Sequence, residues 1–238
     1  MRQKKQAVAK NKVSSITKAS KPPLRALAVC AHPDDVEIYC LGLLLQLQIL
    51  GWEIGWVIAT DGQAGLADAN ADDQRRKEAT QAGAIVGVKP MLLGLEDGQL
   101  SGDECEQTLL RQAVHGFAPN LLISHAPNDY HPDHRTLSKM VTQICPVQCA
   151  LIYADTMCGI DFLPEFSVDI SAVFDQKIAA FKEHQSQSPT SFIDKIALWN
   201  QFRALQTAKR GLQYAESYCI VRAVGRPSVF QLLGNLVI

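Results

Sequence analysis

The sequence of 238 residues lacks a strong charge of either sign, since 23 lysine and arginine residues stand against 24 aspartate and glutamate residues. The basic bias of nucleic-acid-binding proteins is missing, so we expect no nucleic-acid partner. No long hydrophobic run is present either. The most apolar region, residues 41–60, is interrupted by Gln46, Gln48 and Glu53, so it does not predict a membrane span.

Several motifs of covalent and cofactor chemistry are also absent. The seven cysteines are scattered and form no CxxC pair, which favours reduced thiols in a cytoplasmic protein over a disulfide framework. No Gly-x-Ser-x-Gly motif occurs, so a covalent acyl-enzyme is not indicated. Neither a P-loop nor a Gly-x-Gly-x-x-Gly motif is found, so a nucleotide cofactor has no support.

Charge is unevenly distributed along the chain. Residues 1–33 hold eight basic residues and no acidic one, which leaves 15 basic against all 24 acidic residues in the remainder. Lysines interrupt every stretch that could form the apolar centre of a secretory signal. We predict a flexible basic leader over residues 1–23, which is either a solvated extension or a docking arm for anionic partners.

Strand and helix patterns alternate from residue 24 onwards, in a chain that is 47% hydrophobic and can bury a core. Strands are predicted over residues 24–31, 53–60, 90–93, 120–124, 150–153 and 217–224. Helices are predicted over residues 37–50, 72–86, 102–117, 171–184 and 192–209, with another after Pro132. This order predicts an α/β fold with a Rossmann-like, mostly parallel sheet, helices on both faces, and a single domain over residues 24–238.

Two polar clusters follow two of these strands, at the carboxyl ends where open parallel sheets bind ligands. They read AHPDDVE at residues 31–37 and HAPNDYHPDH at residues 125–134. Each alone is compatible with a turn or a helix cap, but two at equivalent strand ends favour a shared site. Imidazole and carboxylate groups without a nearby thiolate fit a catalytic divalent metal better than a structural zinc knot.

The spacing within the clusters supports a metal site. His32 and Asp35 are three residues apart in a turn that enters a helix, so both can reach one point, and His131 and His134 have the same separation. A catalytic zinc takes three protein ligands and keeps a position for water. The candidate groups therefore divide into three ligands, one base, and a histidine with its orienting acid.

At these motifs the sequence resembles the LmbE-like/PIG-L family of zinc-dependent N-deacetylases, which remove acyl groups from N-acetylglucosamine-type sugars. The resemblance extends from about residue 24 to residue 224. Further matches are TDG at residues 60–62, RxxE at 75–78, VDIS at 168–171, HxSQ at 184–187 and YAE at 214–216.

The resemblance implies a site with one zinc ion per chain, or another divalent metal in its place. By the family pattern, His32, Asp35 and His134 are the metal ligands. Asp34 is the base that activates the attacking water.

The resemblance also implies roles for groups beside the metal. His131 stabilises or protonates the tetrahedral intermediate and is oriented by Asp133. Arg75 matches an arginine that contacts the substrate in relatives, and Arg76 could serve instead, while a solvated helix face explains both arginines equally well. Tyr130 is a candidate for the pocket lining.

One segment departs from the family pattern. Many relatives have a Gly-Cys-Gly-Gly-Thr-like stretch after the first motif, whereas residues 39–43 here read YCLGL. We expect the larger side chains to alter the acyl or sugar pocket. His184 is interpreted either as a group behind the site or as a cation at a helix carboxyl end.

The sequence therefore predicts a metal-dependent hydrolase that removes an acetyl group from the amine of a small N-acylated sugar. One alternative is a metal-dependent hydrolase of another bond, such as a phosphoester. The other is a non-catalytic metal or sugar binder that keeps the architecture. A homo-oligomer is compatible with the sequence, which contains no signal for or against one.

Overall fold

The computed structural model describes residues 22–66, 73–187 and 189–238. Residues 1–21 of the predicted leader lie outside these ranges. The division into a flexible leader and a single domain therefore stays a prediction.

The described residues contain one sheet, and its seven strands follow the predicted order along the chain with one addition. The strands are β1 (Arg25–Cys30), β2 (Glu53–Thr60), β3 (Met91–Leu95), β4 (Leu121–His125), β5 (Ala150–Ala154), β6 (Phe166–Asp169) and β7 (Ala215–Ile220). Their spatial order is β3-β2-β1-β4-β5-β7-β6. The first five strands pair in parallel, while β7 is antiparallel to both β5 and β6. The predicted Rossmann-like, mostly parallel α/β sheet is confirmed.

Helices cover both faces of the sheet, as predicted. They are α1 (Asp35–Tyr39), α2 (Leu41–Ile49), α3 (Gln74–Ile85), α4 (Glu104–Phe117), α5 (Pro132–Ile144), α6 (Phe174–Phe181), α7 (Pro189–Gln206) and α8 (Val229–Leu233). Side chains of α4 and α5 form the core on one face, and those of the other helices form the core on the opposite face. None of the helices in the described residues is long and apolar enough to cross a membrane.

The central strand β1 is buried on both faces, which explains its uninterrupted apolar sequence. Ala26 and Ala28 point into the core beneath α1 and α2, whereas Leu27 and Val29 point into the core beneath α4 and α5. Alternation along a strand produces this division, because successive side chains point to opposite faces.

The carboxyl ends of β1 and β4 form the crevice in which both polar clusters lie. The two strands pair directly, from Ala26 with Leu121 to Val29 with Ser124. The chain leaves β1 for α1 on one face and leaves β4 for α5 on the other, so the two connections diverge and leave a cleft between them.

The continuous helix predicted over residues 37–50 is wrong. The helical segment begins earlier, at Asp35, and is interrupted at Cys40, whose φ of −146° is not helical. At the interruption, Lys177 Nζ donates to the Ile38 carbonyl oxygen at 2.9 Å. This carbonyl therefore bonds to a side chain from α6, a partner that local sequence does not reveal.

A carboxylate from β7 occupies the start of α2. Glu216 accepts the backbone N–H groups of Gly42 at 2.9 Å and Leu43 at 2.7 Å. Its charge is compensated by Lys177 at 2.6 Å, and Tyr218 donates its hydroxyl proton at 2.7 Å. A buried anion at a helix amino terminus is favoured by the free N–H groups and the helix dipole.

Two short elements in the last third were not predicted. The strand β6 alternates apolar and polar residues, but with four residues it is at the lower limit of length at which alternation predicts a strand. The helix α8 has five residues. The late strand predicted over residues 217–224 is present as β7, shifted towards the amino terminus.

We expect Gly42→Ala to lower the free energy of unfolding by about 1–3 kcal/mol. An added Cβ would lie 2.5 Å from Ile170 Cγ2 and 2.8 Å from Glu216 Oε1. Gly116→Ala is the matched control, because nothing lies within 4 Å of its Cβ position. Denaturant titration measures both variants, and an equal free energy of unfolding for the two would contradict the expectation.

Candidate active site

The first side of the site is the turn between β1 and α1. Asp34 has a φ of 113°, a backbone conformation that non-glycine residues rarely adopt, and it directly precedes α1. The turn is closed by the His32 N–H, which donates to Asp35 Oδ2 at 2.7 Å. The turn holds the His32 and Asp35 side chains in the cleft, where each is almost fully buried.

The second side is the loop after β4 and the first turn of α5. His131 is the residue before α5, and its Nδ1 accepts the backbone N–H of Asp133 at 3.2 Å. Pro132 follows at the first helical position, where its fixed φ and missing N–H are tolerated. His134, in the first turn, therefore points back into the cleft.

The structure brings His32, Asp35 and His134 together. His32 Nδ1 lies 3.2 Å from Asp35 Oδ2 and 3.1 Å from His134 Nε2, and the latter two atoms are 3.3 Å apart. A tetrahedral zinc with bonds of about 2.0–2.1 Å would have ligand atoms about 3.3–3.4 Å apart. The triangle of one carboxylate oxygen and two imidazole nitrogens therefore fits one divalent ion.

The imidazole of His125 lies beside the ligand triangle, and the sequence suggested no role for it. Its Nε2 accepts the Ala31 N–H at 2.9 Å and lies 3.3 Å from Asp35 Oδ2. Its ring stacks on His134 with centroids 3.7 Å apart. Burial and the neighbouring His134 lower its pKa to about 4, so the ring is neutral. His125 supports the cluster from behind, with its Nε2 lone pair already used.

Asp129 and Thr156 hold His134 in place. Asp129 Oδ2 lies 3.0 Å from His134 Nδ1 and accepts the Thr156 hydroxyl at 2.7 Å. Burial opposes ionisation of Asp129, but these hydrogen bonds lower its pKa to about 2. The carboxylate on Nδ1 leaves the Nε2 lone pair of His134 facing the cluster. Sequence reasoning missed both residues, and only the position of Asp129 inside the second cluster could have indicated one of them.

Asp133 has a different partner from the expected one. Its carboxylate lies 3.3 Å from His32 Nε2 and accepts the N–H of Gly98 at 2.7 Å. Asp97, from the loop after β3, also contacts His32 Nε2 at 3.0 Å. Two carboxylates therefore orient His32, whereas the contact of Asp133 with His131 is made through the backbone N–H.

Asp34 and Arg75 form a mostly buried pair at the pocket wall. Arg75 Nη2 lies 3.1 Å from Asp34 Oδ2 and also donates to the Pro33 carbonyl, while Nη1 donates to the Gly62 carbonyl at 3.0 Å. Burial raises the pKa of Asp34 to about 6, against the opposing effect of Arg75. Arg76 lies apart from the site, paired with Asp73 at 3.4 Å. A substrate contact of Arg75 stays a prediction.

The ligand triangle, Asp34, Arg75 and His131 line a cavity of about 370 Å³. Ile38, Phe181 and Phe192 contribute apolar surface to it. Tyr130 is half exposed at its edge, with its ring centroid 5.8 Å from that of His131. Of the departing segment 39–43, Tyr39 lines the cavity and the other four residues are buried in the core. An altered pocket stays a prediction.

The HxSQ and RxxE motifs connect α3 and the end of α6 to the site. His184 is fully buried with its Nε2 3.2 Å from Glu37. Burial lowers the pKa of His184, but the charge of Glu37 more than offsets this and raises it. Ser186 donates its N–H and hydroxyl to Glu78 at 2.8 and 2.5 Å. Gln187 then reaches the cavity.

Comparison with known proteins identifies relatives of this chain. The family described as "PIG-L: GlcNAc-PI de-N-acetylase" matches residues 27–145, which is half of the chain. Diacetylchitobiose deacetylase from Thermococcus kodakarensis is 25% identical over 227 residues, covering 84% of each protein. The probable N-acetyl-alpha-D-glucosaminyl L-malate deacetylase 2 of Bacillus cereus is 27% identical over 191 residues, covering 72% of this chain and 87% of that protein.

A solved structure has the same fold as this chain. The crystal structure of a conserved protein from Thermus thermophilus superposes with a TM-score of 0.74 at 26% identity, over 84% of this chain and 97% of that one. The family match includes both strand ends and both polar clusters of the cleft. The chain belongs to the PIG-L family, as its motifs predicted.

Proposed function

We propose that this protein is a zinc-dependent N-deacetylase that hydrolyses the acetamide of a small N-acetylglucosamine-type sugar. The observation that carries the proposal is the triangle of His32, Asp35 and His134 ligand atoms with the Asp34 carboxylate next to it in one cavity. The deacetylase names of the two relatives point to the same chemistry.

The donor set suits a catalytic metal. His32 Nδ1, Asp35 Oδ2 and His134 Nε2 would hold it, and two nitrogens with one oxygen are ligands that zinc accepts in hydrolytic sites. When bound, the metal supplies Lewis acidity, which lowers the pKa of a coordinated water and polarises the amide carbonyl. Another divalent ion with the same preferences would serve equally.

Asp34 is the group suited to move the proton. It precedes the ligand Asp35 and lines the cavity, so it can accept a proton from the attacking water and return it to the departing amine. Asp129 and Asp133 contact ligand histidines, whereas Asp34 contacts Arg75, so support of a ligand does not account for its place in the cavity. Asp34 therefore favours an enzyme over the non-catalytic alternative.

His131 is suited to stabilise charge on the carbonyl oxygen. Because its Nδ1 accepts the Asp133 N–H, the neutral ring carries its proton on Nε2. This N–H is available to donate to the oxygen as negative charge develops there. Asp133 orients both rings. Its backbone N–H donates to His131 Nδ1, and its carboxylate contacts His32 Nε2.

An amide substrate fits the cavity better than a phosphoester. Recognition of phosphate favours clustered arginines or backbone nests. Among the described residues that line the cavity, Arg75 is the one arginine or lysine, and it is already paired with Asp34. The exposed Tyr130 ring offers an apolar face for a neutral sugar.

We also propose a cytoplasmic location. All seven cysteines fall within the described residues and are free thiols, which suits a reducing compartment.

The proposal is tested by measuring release of primary amine from a panel of N-acetylated sugars, with and without a zinc chelator. We expect release from at least one N-acetylglucosamine conjugate, loss of release with chelator, and recovery on adding zinc. A phosphoester panel runs in parallel. Metal-dependent phosphate release without amine release would overturn the proposal.

Two variants separate the base from the ligands. We expect Asp34→Asn to keep about one metal ion per chain and to lose about 10²–10⁴-fold in kcat, because it can no longer accept a proton. We expect His134→Ala to lose the metal itself, because one corner of the ligand triangle is missing. Elemental analysis measures the metal and amine release measures kcat. Full activity of Asp34→Asn would refute the assignment of the base.

The position of Asp129 generates a further expectation. Asp129→Asn should lower the affinity for zinc about 10–100-fold, because a neutral amide holds the Nδ1 side of His134 less firmly than a carboxylate. Asp161→Asn is the matched control, since it removes the same charge from an exposed loop. Competition against a chromogenic chelator measures both affinities, and equal values would show that Asp129 does not support the ligand.

A further inference from the structure

We propose that Tyr39 sets the acyl specificity of this site: its ring occupies the space into which a longer acyl chain would extend, so that acetyl is accepted and butanoyl is rejected. This inference rests on the proposed function and concerns the acyl group of that same reaction. Tyr39 belongs to the segment 39–43 that departs from the family pattern, and within that segment it is the residue that lines the cavity.

The helix α1 places Tyr39 beside the ligand triangle. Tyr39 lies four residues after Asp35 in this helix, and residues four apart share one helix face. Its ring is nearly perpendicular to the ring of His134, at 81° with the centroids 6.3 Å apart, and lies in a similar way against His125 at 6.1 Å. The phenol ring therefore lies next to two of the three residues that would hold the metal.

The tip of the Tyr39 ring faces the cavity. The residue is 9% exposed and is one of those that line the cavity. A buried tyrosine hydroxyl usually finds a hydrogen-bond partner, but this one makes no hydrogen bond with the residues that the structure describes. The hydroxyl therefore points into space that water or a ligand fills, and a substrate group that enters this space meets the ring.

The cavity has an enclosed part and an open edge. Ile38, Tyr39 and Phe181 are almost fully buried, whereas Gly65 and Tyr130 are exposed. The amide carries the sugar on its nitrogen and the acyl chain on its carbonyl carbon. The sugar and its conjugated group are the larger side and need the open edge, so the acyl chain points into the enclosed part, towards Tyr39.

The enclosed wall is fixed by the core behind it. The next residues, Cys40 and Leu41, are fully buried, and Lys177 of α6 donates to the Ile38 carbonyl oxygen at 2.9 Å. Because protein interiors are close-packed, a longer acyl chain cannot displace the Tyr39 ring without moving α1. One methylene group in such a pocket changes the relative kcat/KM by about 10–200-fold.

The test measures kcat/KM of the metal-loaded protein for the N-acetyl, N-propanoyl and N-butanoyl forms of the sugar that the wild type hydrolyses. Tyr39→Ala removes the ring, Tyr39→Leu replaces it with a smaller side chain, and Tyr39→Phe removes the hydroxyl alone. Tyr130→Ala is the matched control, because it removes the same side chain from the open edge. Metal content and circular dichroism verify that each variant is loaded and folded.

We expect the wild type to hydrolyse the N-acetyl form at least about 10-fold more efficiently than the N-butanoyl form. Tyr39→Ala should abolish this preference, Tyr39→Leu should reduce it, and Tyr39→Phe should keep it. Tyr130→Ala should change KM for the three forms alike and leave the preference as in the wild type.

The inference is overturned if the wild type hydrolyses the acetyl and butanoyl forms equally well. It is also overturned if the preference is unchanged in Tyr39→Ala, or if Tyr39→Phe loses it, since the ring would then not be what limits the chain. If Tyr39→Ala does not fold, Tyr39→Leu decides the question in its place.

A binding measurement separates this inference from the proposed function. Alkyl hydroxamates bind a metal through two oxygens and carry an acyl chain, so acetohydroxamate and butanohydroxamate report the fit of the chain without turnover. In calorimetric titrations, the metal-loaded wild type should bind acetohydroxamate more tightly, and Tyr39→Ala should lose this preference. If the wild type releases no amine from any sugar, the proposed function fails, and this titration alone decides whether Tyr39 limits the chain. Equal affinities of the wild type for both hydroxamates would overturn the inference.

Discussion

The direct parallel pairing of β1 with β4 is the constraint on which the site depends. The two polar clusters are about a hundred residues apart in sequence, and this pairing brings His32 to 3.1 Å from His134. The hydrogen bond from the Ala31 N–H to His125 joins the first residues of the two clusters. A shift of register between the strands would separate the ligand atoms, because two of the three ligands follow β1 and the third follows β4.

The cleft can bury several ionisable groups because the charged ones contact a group of opposite sign and another remains neutral. Asp129 and Asp133 contact the outer nitrogens of two histidines, Arg75 contacts Asp34, and His125 stays neutral at its low pKa. A buried charge without a partner is costly, so the outer residues stabilise the fold while they orient the inner ones. In this cleft, stability and reactivity depend on the same hydrogen bonds.

The sequence was sufficient to predict the parallel sheet and the residues that meet in the cleft, since strand patterns and adjacent polar clusters are local signals. It could not predict Asp97 or Thr156, which reach the site from other loops and have no motif of their own. The interruption at Cys40 was missed for the same reason. It depends on Lys177 and Glu216, more than 130 residues away, whereas local propensity favours a continuous helix.

The Lys177–Glu216 pair has a consequence for the modularity of the chain. The family match ends at residue 145, yet α2 begins on a carboxylate from β7, and a carbonyl at the end of α1 accepts a hydrogen bond from a lysine of α6. A fragment ending at residue 145 would expose the first N–H groups of α2 and the apolar surface beneath it. The amino-terminal half thus carries the candidate metal ligands, whereas part of the support for the helices behind them comes from the carboxyl-terminal part of the chain.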